Sequence, residues 1–163
     1  MKKRQDRNAG FNLIELMIVV AILGIIAATV YPNYSRYMTQ TRRSDAQVAL
    51  VEAASRQERF FSQCRTYTTA LDGNIPACSG LGFANGLSPD GHYLLAIAAD
   101  TINADCAALA SPITCGFTIT ADPNGAGVSG RQNNDGKSRI DSTGRKQWDK
   151  ANNNSYTSKW TDK

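Results

Sequence analysis

Histidine occurs once in the 163 residues, at His92, and no serine, aspartate or cysteine is spaced around it as a recognisable catalytic set. A lone histidine beside an extended segment is usually structural. The glycines near residues 125–130 lack the GK[ST] ending and following helix of a phosphate-binding loop. These absences set enzyme chemistry aside and imply no cofactor. Lysine and arginine are missing from residues 66–130, which hold five aspartates. The formal charge of +4 therefore sits at the two ends. Residues 1–10 carry Lys2, Lys3, Arg4 and Arg7 against Asp6, and residues 131–163 carry eight Lys or Arg against four Asp. CxxC pairs are also absent. Cys64, Cys78, Cys106 and Cys115 are spaced unequally and fit no common zinc pattern, so zinc, with or without His92, is the minor reading. An even count in an exported, loop-rich chain favours two disulfides. Of three connectivities, Cys64–Cys78 with Cys106–Cys115 closes the two shortest loops.

What is present is near ordinary globular composition, 42% hydrophobic and 20% charged, in a length that suits one domain plus an appendage. The appendage is at the start. Residues 13–31 are apolar or small except for Glu15. As a helix they would span ~28 Å, close to the ~30 Å hydrocarbon core of a bilayer. The basic flank precedes the run, which keeps residues 1–10 cytoplasmic and exports the remainder. A secretory signal is a poor fit: its cleavage site follows the apolar stretch, whereas this run is long and begins directly after a Gly-Phe junction. Glu15 lies near the cytoplasmic end of the run. It is either a boundary residue that reaches the headgroups or an acid that meets a cation when helices pack together.

The combination of basic leader, Gly10-Phe11-Asn12-Leu13-Ile14-Glu15 and apolar run resembles the class III prepilin signal of type IV pilins and pseudopilins. Asn12 stands where that family usually has threonine. The resemblance implies a leader, residues 1–10, removed by a prepilin peptidase after Gly10, and N-methylation of Phe11. It implies that Glu15 pairs with the Phe11 amino group of a neighbouring subunit. It implies further that the helix between Gly24 and Pro32 melts inside the fibre; glycine and proline each weaken a helix on their own account. On this reading residues 11–38 are the transmembrane and polymerisation half of a long helix, and residues 39–163 are the exported domain. The partners would be other pilin subunits, the peptidase and, before assembly, the inner membrane; the end point would be an extracellular pilus serving biogenesis, adhesion or twitching motility. The stretch TRRSDAQVALVEAASRQERFFSQCRTYT resembles, more narrowly, minor pilins of the E type. The resemblance covers about residues 8–70.

A helical pattern continues beyond Pro32. Ala46, Ala49, Leu50, Ala53, Phe60, Phe61 and Cys64 share one face, interrupted by Gln57, while Glu52 and Arg56 form an i,i+4 pair outside. A helix over residues 11–64 would be about 81 Å long, more than one small domain can cover. Residues 65–91 read as a long connection. Strands are expected over residues 92–99, with Tyr93, Leu95 and Ile97 on one face, and over residues 115–121, with Phe117 and Ile119 inward and the threonines outward. Weaker strand signals lie near residues 138–141 and 145–148. The fold expected is α+β: a long N-terminal helix, part membrane and part amphipathic, packed by its second half against an antiparallel sheet of three or four strands. The tail, residues 152–160, reads as a loose or edge segment.

Two alternatives to a fibre subunit come from other classes. A DNA receptor would use Lys137, Arg139, Arg145, Lys146 and Lys150, with Lys159, Trp148 and Trp160 nearby; a basic stretch is more commonly a solvated face. A secretion pseudopilin would resemble this N-terminus, but that class tends to have an acidic calcium loop and no disulfide, unlike this basic, cysteine-bearing end.

Overall fold

The structure is a computed structural model that describes residues 12–100, 112–130, 132 and 135–162. Helix α1 runs Leu13–Cys64. It is followed by β1 (Leu94–Ala99), β2 (Phe117–Asp122), β3 (Ser138–Asp141), β4 (Lys146–Trp148) and β5 (Ser158–Lys159), with short 3-10 turns at Ala84–Gly86 and Pro112–Thr114. The chain divides into two compact units at Met38/Thr39.

In the first unit the apolar run is helical and long and apolar enough to cross a membrane. Its side chains are exposed, Leu13 by 75% and Tyr31 by 76%, with no cover from within that unit among the described residues.

In the second unit α1 is rich in alanine, glutamine, glutamate and arginine, all strong helix formers. One face is sealed: Ala46, Ala49, Leu50, Ala53, Gln57 and Phe60 are buried. Gln57 is the polar member of that face, and its amide bonds the backbone of Thr68 twice, donating to the carbonyl at 2.5 Å and accepting from the N–H at 3.1 Å. Burial without those partners would be costly. The Glu52–Arg56 pair forms at 2.6 Å, and Arg56 also donates to the carbonyls of Leu81 and Gly82. The helix stops at Arg65, whose φ of 59° makes it a left-handed cap, its N–H bonding the Phe61 carbonyl at 2.9 Å. Cys64, the last helical residue, is bonded to Cys78. A covalent loop of about 15 residues is worth ~3 kcal/mol in the chain-entropy account. Cys115 is also disulfide-bonded. The fourth cysteine, Cys106, lies outside the described residues. Cys64, Cys78 and Cys115 are therefore oxidised, not zinc thiolates.

The sheet is antiparallel in the order β1-β2-β3-β4-β5. Ile97, Ile119, Ile140 and Lys146 form one cross-strand row, and Leu95, Ala121, Ser138 and Trp148 the next. These rows meet the buried face of α1 in a single core that includes Tyr93, Leu95, Phe117, Ile119, Ala121 and Ile140. Gly136 is required where β3 begins, because a Cβ there would overlap the Asp149 carbonyl. The α+β expectation holds, with three departures. The sheet has five strands, because part of the tail pairs with β4 as an edge strand, Gln147 with Lys159 and Trp148 with Ser158. Phe61 is half-buried and stacks on Tyr67 at 4.7 Å instead of joining the core. Thr118 faces away from α1, as its alternation requires, yet is buried.

Candidate functional site

Two regions carry the candidate residues. The first is the N-terminal part of α1. Gly10 and Phe11 lie outside the described residues. Glu15 is exposed in the first helical turn, its N–H bonding the Asn12 carbonyl at 3.0 Å. A carboxylate there suits the positive end of the helix dipole. It is the one charge in the run of residues 13–31. Gly24 has open space around it: a Cβ would meet nothing within 4 Å. Local crowding thus gives no reason for glycine in a single copy. Pro32 sits inside α1, which is helical on both sides of it. Proline donates no N–H, so one rung of the ladder is missing. Between the two, the Thr29 hydroxyl donates to the carbonyls of Ile26 at 3.0 Å and Ile25 at 3.4 Å. Three helix-weakening features therefore fall within nine residues.

The second region is the β3–β5 side of the sheet, where the basic residues are divided between faces. Lys146 shares a row with Ile140 and Ile119, on the face toward α1, with its ammonium 5.4 Å from the Trp160 ring. Arg139 is on the opposite face, in the row Ala96, Thr120, Arg139, Gln147, Lys159. It lies over Tyr156 at 3.8 Å and donates to the Gln147 side chain. Lys137 pairs with Asp122 at 3.0 Å, which raises its pKa. Arg145 pairs with Asp141 at 2.8 Å. Burial pushes the Asp141 carboxyl up, but hydrogen bonds from Thr143 and Arg145 outweigh it and hold the group below the usual range. Lys150 lies 5.8 Å from the Trp148 ring. Trp148 is buried, while Trp160 anchors the tail by donating to the Gln147 carbonyl at 2.9 Å. The five cations are therefore neighbours along one side of the sheet without forming one continuous face.

A third cluster gave no sign in the sequence beyond the Arg42-Arg43 pair. Arg43 grips the buried Asp135 with two bonds, 2.6 and 3.1 Å, and lies over the Trp148 indole at 3.7 Å. Asp135 also accepts from the Tyr93 hydroxyl at 2.7 Å. Burial, then the Asp135 carboxylate, push the Tyr93 phenol well above its ordinary range. Gln132 donates to that hydroxyl and to the Thr39 carbonyl. The cluster ties the first turns of the domain half of α1 to the sheet. Arg43 and Asp135 are 92 residues apart, so no local pattern could pair them.

An exposed apolar helix bearing one acid, in a chain with a helix-on-sheet domain, is the arrangement of a pilin. A family model for the prokaryotic N-terminal methylation motif matches residues 5–31. A second, described as "Type IV minor pilin ComP, DNA uptake sequence receptor", matches residues 32–136, more than half of the chain. The chain belongs to the type IV minor pilins. It is 34% identical over 116 residues to the type IV major fimbrial protein FimA of Dichelobacter nodosus, a match covering 71% of this chain and 66% of that one. It is 31% identical over 125 residues to a "Probable minor fimbrial protein" of the same organism, covering 74% and 73%. The type IV major pilin protein PilA of Myxococcus xanthus is 45% identical over 62 residues, 38% of this chain. The chain thus spans 28% of the PilA relative and just under two thirds of FimA.

Proposed function

We propose that the chain is made as a membrane-anchored precursor, cut after Gly10 by a prepilin peptidase, N-methylated at Phe11 and assembled with other pilin subunits into a type IV pilus. The observation that carries this reading is the exposed apolar helix with its single carboxylate, Glu15, in the first turn. A lone copy leaves that surface in lipid, and a fibre covers it with neighbouring helices. There the Phe11 amino group of another subunit neutralises Glu15, so charge sets the register and apolar packing supplies the affinity. The stretch of residues 24–32, weakened three times over, is where the helix gives way on assembly or under tension. Substituting Gly10→Val tests the processing step. The variant should accumulate in the membrane at full precursor mass and be missing from sheared fibres. Normal processing of Gly10→Val would remove Gly10 from the cleavage site.

A second reading is DNA binding, favoured by the words of the family description and by the cations between Lys137 and Lys159. Lys137 and Arg145 serve acids within the domain; in this reading Lys146 and Lys150 supply phosphate contacts. With the detergent-solubilised chain, Lys146→Gln with Lys150→Gln should weaken duplex binding and make the log–log salt slope shallower by about 2. No binding by the parent at low salt would eliminate this reading.

A further inference from the structure

The β4–β5 edge of the sheet encloses a hollow of about 430 Å³, within the ~300–1,000 Å³ of small-ligand sites. Its lining includes Lys146, Lys159, Trp160 and the hydroxyl residues Thr157, Ser158 and Thr161, and among the described residues no acid. The walls are held in place without a ligand. The Trp160 indole donates to the Gln147 carbonyl at 2.9 Å, the Gln147 amide donates to the Tyr156 carbonyl at 2.9 Å, and the Lys159 N–H bonds the Asp162 carboxylate at 2.6 Å. The ammonium groups of Lys146 and Lys159 take part in no ion pair among the described residues. The three hydroxyls make no hydrogen bond among those residues either.

These groups select a ligand by their chemistry. Two ammonium groups with no acid in the lining call for an anion, and charge-assisted bonds to a carboxylate are the strong kind. A base edge is read by paired donors and acceptors on amide or guanidinium groups. Both are already spent here: the Gln147 amide accepts from Arg139 and donates to Tyr156, and the Arg145 guanidinium holds Asp141. Hydroxyls, ammonium groups and an indole wall are what remain. A pyranose ring offers the complement, with C–H groups for the indole and hydroxyls around its rim. Lys146 belongs to the row facing α1 and Lys159 to the row of the opposite face, so a run of acidic sugars laid across this edge meets both in turn. We propose that the hollow between β4 and β5 binds an oligouronate segment of an acidic glycan, whose carboxylates meet Lys146 and Lys159. This goes beyond the subunit reading and does not depend on it.

Calorimetric titration of trigalacturonic acid into the detergent-solubilised full chain tests the site. Saturable binding is expected, and about tenfold weaker binding of the methyl ester, which keeps the rings and removes the charges. Lys146→Gln and Lys159→Gln should each weaken binding about fivefold, one charge-assisted contact apiece. Lys150→Gln, outside the lining, should bind like the parent. No saturation at millimolar trigalacturonic acid, equal binding of acid and ester, or indifference to both lysine variants overturns the proposal. Tighter binding of a thymidine trinucleotide, lost in the same two variants, assigns the hollow to nucleic acid and overturns it as well.

Discussion

Glu15→Val will insert into the membrane and lose its leader like the parent, yet its recovery in sheared fibres will fall by roughly 100-fold or more. The two environments differ. In the proposed membrane-anchored precursor Glu15 would lie at the cytoplasmic end of the apolar run, within reach of headgroups and water, and replacing it with valine would remove a cost of insertion. In the proposed fibre, neighbouring helices exclude lipid and water, and the Phe11 amino group must meet an anion. Removing one member of a buried pair leaves the other unpaired, a loss of ~3–5 kcal/mol in a dry site. Each ~1.4 kcal/mol is a factor of ten in an equilibrium. Membrane level, processed fraction and fibre recovery, measured side by side, separate the steps. Parental incorporation of Glu15→Val would make Glu15 a tolerated boundary residue.

Arg43→Ala will cost ~3–5 kcal/mol of stability, the loss that follows from removing one member of a buried ion pair. The Arg43 side chain is only 15% exposed and that of Asp135 3%, so the pair is shielded far better than a surface ion pair. Alanine would leave the Asp135 carboxylate buried with the Tyr93 hydroxyl as its side-chain partner among the described residues and would uncover the Trp148 indole. The exposed pair Arg56–Glu52 provides the contrast. Glu52→Ala should cost no more than ~1 kcal/mol, as exposed pairs do. Urea unfolding of the detergent-solubilised variants, followed by tryptophan fluorescence, reads both. Equal small losses would show that the Arg43 cluster is not a brace.

The long helix was legible because its signals are local. The apolar run, the spacing of Ala46, Ala49, Leu50 and Ala53, and the Glu52–Arg56 pair each need only neighbours within a few residues. Gln57 looked like a break in that face because the sequence shows the amide and hides its partner, the Thr68 backbone. The central strands showed in their alternation. The β5 strand could not: two polar residues carry no periodicity, and the tail is held by Trp160 donating to the Gln147 carbonyl and Gln147 donating to the Tyr156 carbonyl. Alternation also explains the basic cluster. Arg139 and Lys146 are close in sequence but belong to opposite faces, a distinction that depends on register. The Arg43–Asp135 brace depends wholly on tertiary structure.

The intact mass of this chain recovered from sheared surface fibres tests the central claim most directly. A pilin assembled through its N-terminal helix will have the mass of residues 11–163 with one added methyl group and its cysteines oxidised. A chain that still begins at Met1, or that begins beyond the apolar run, would contradict assembly through that helix.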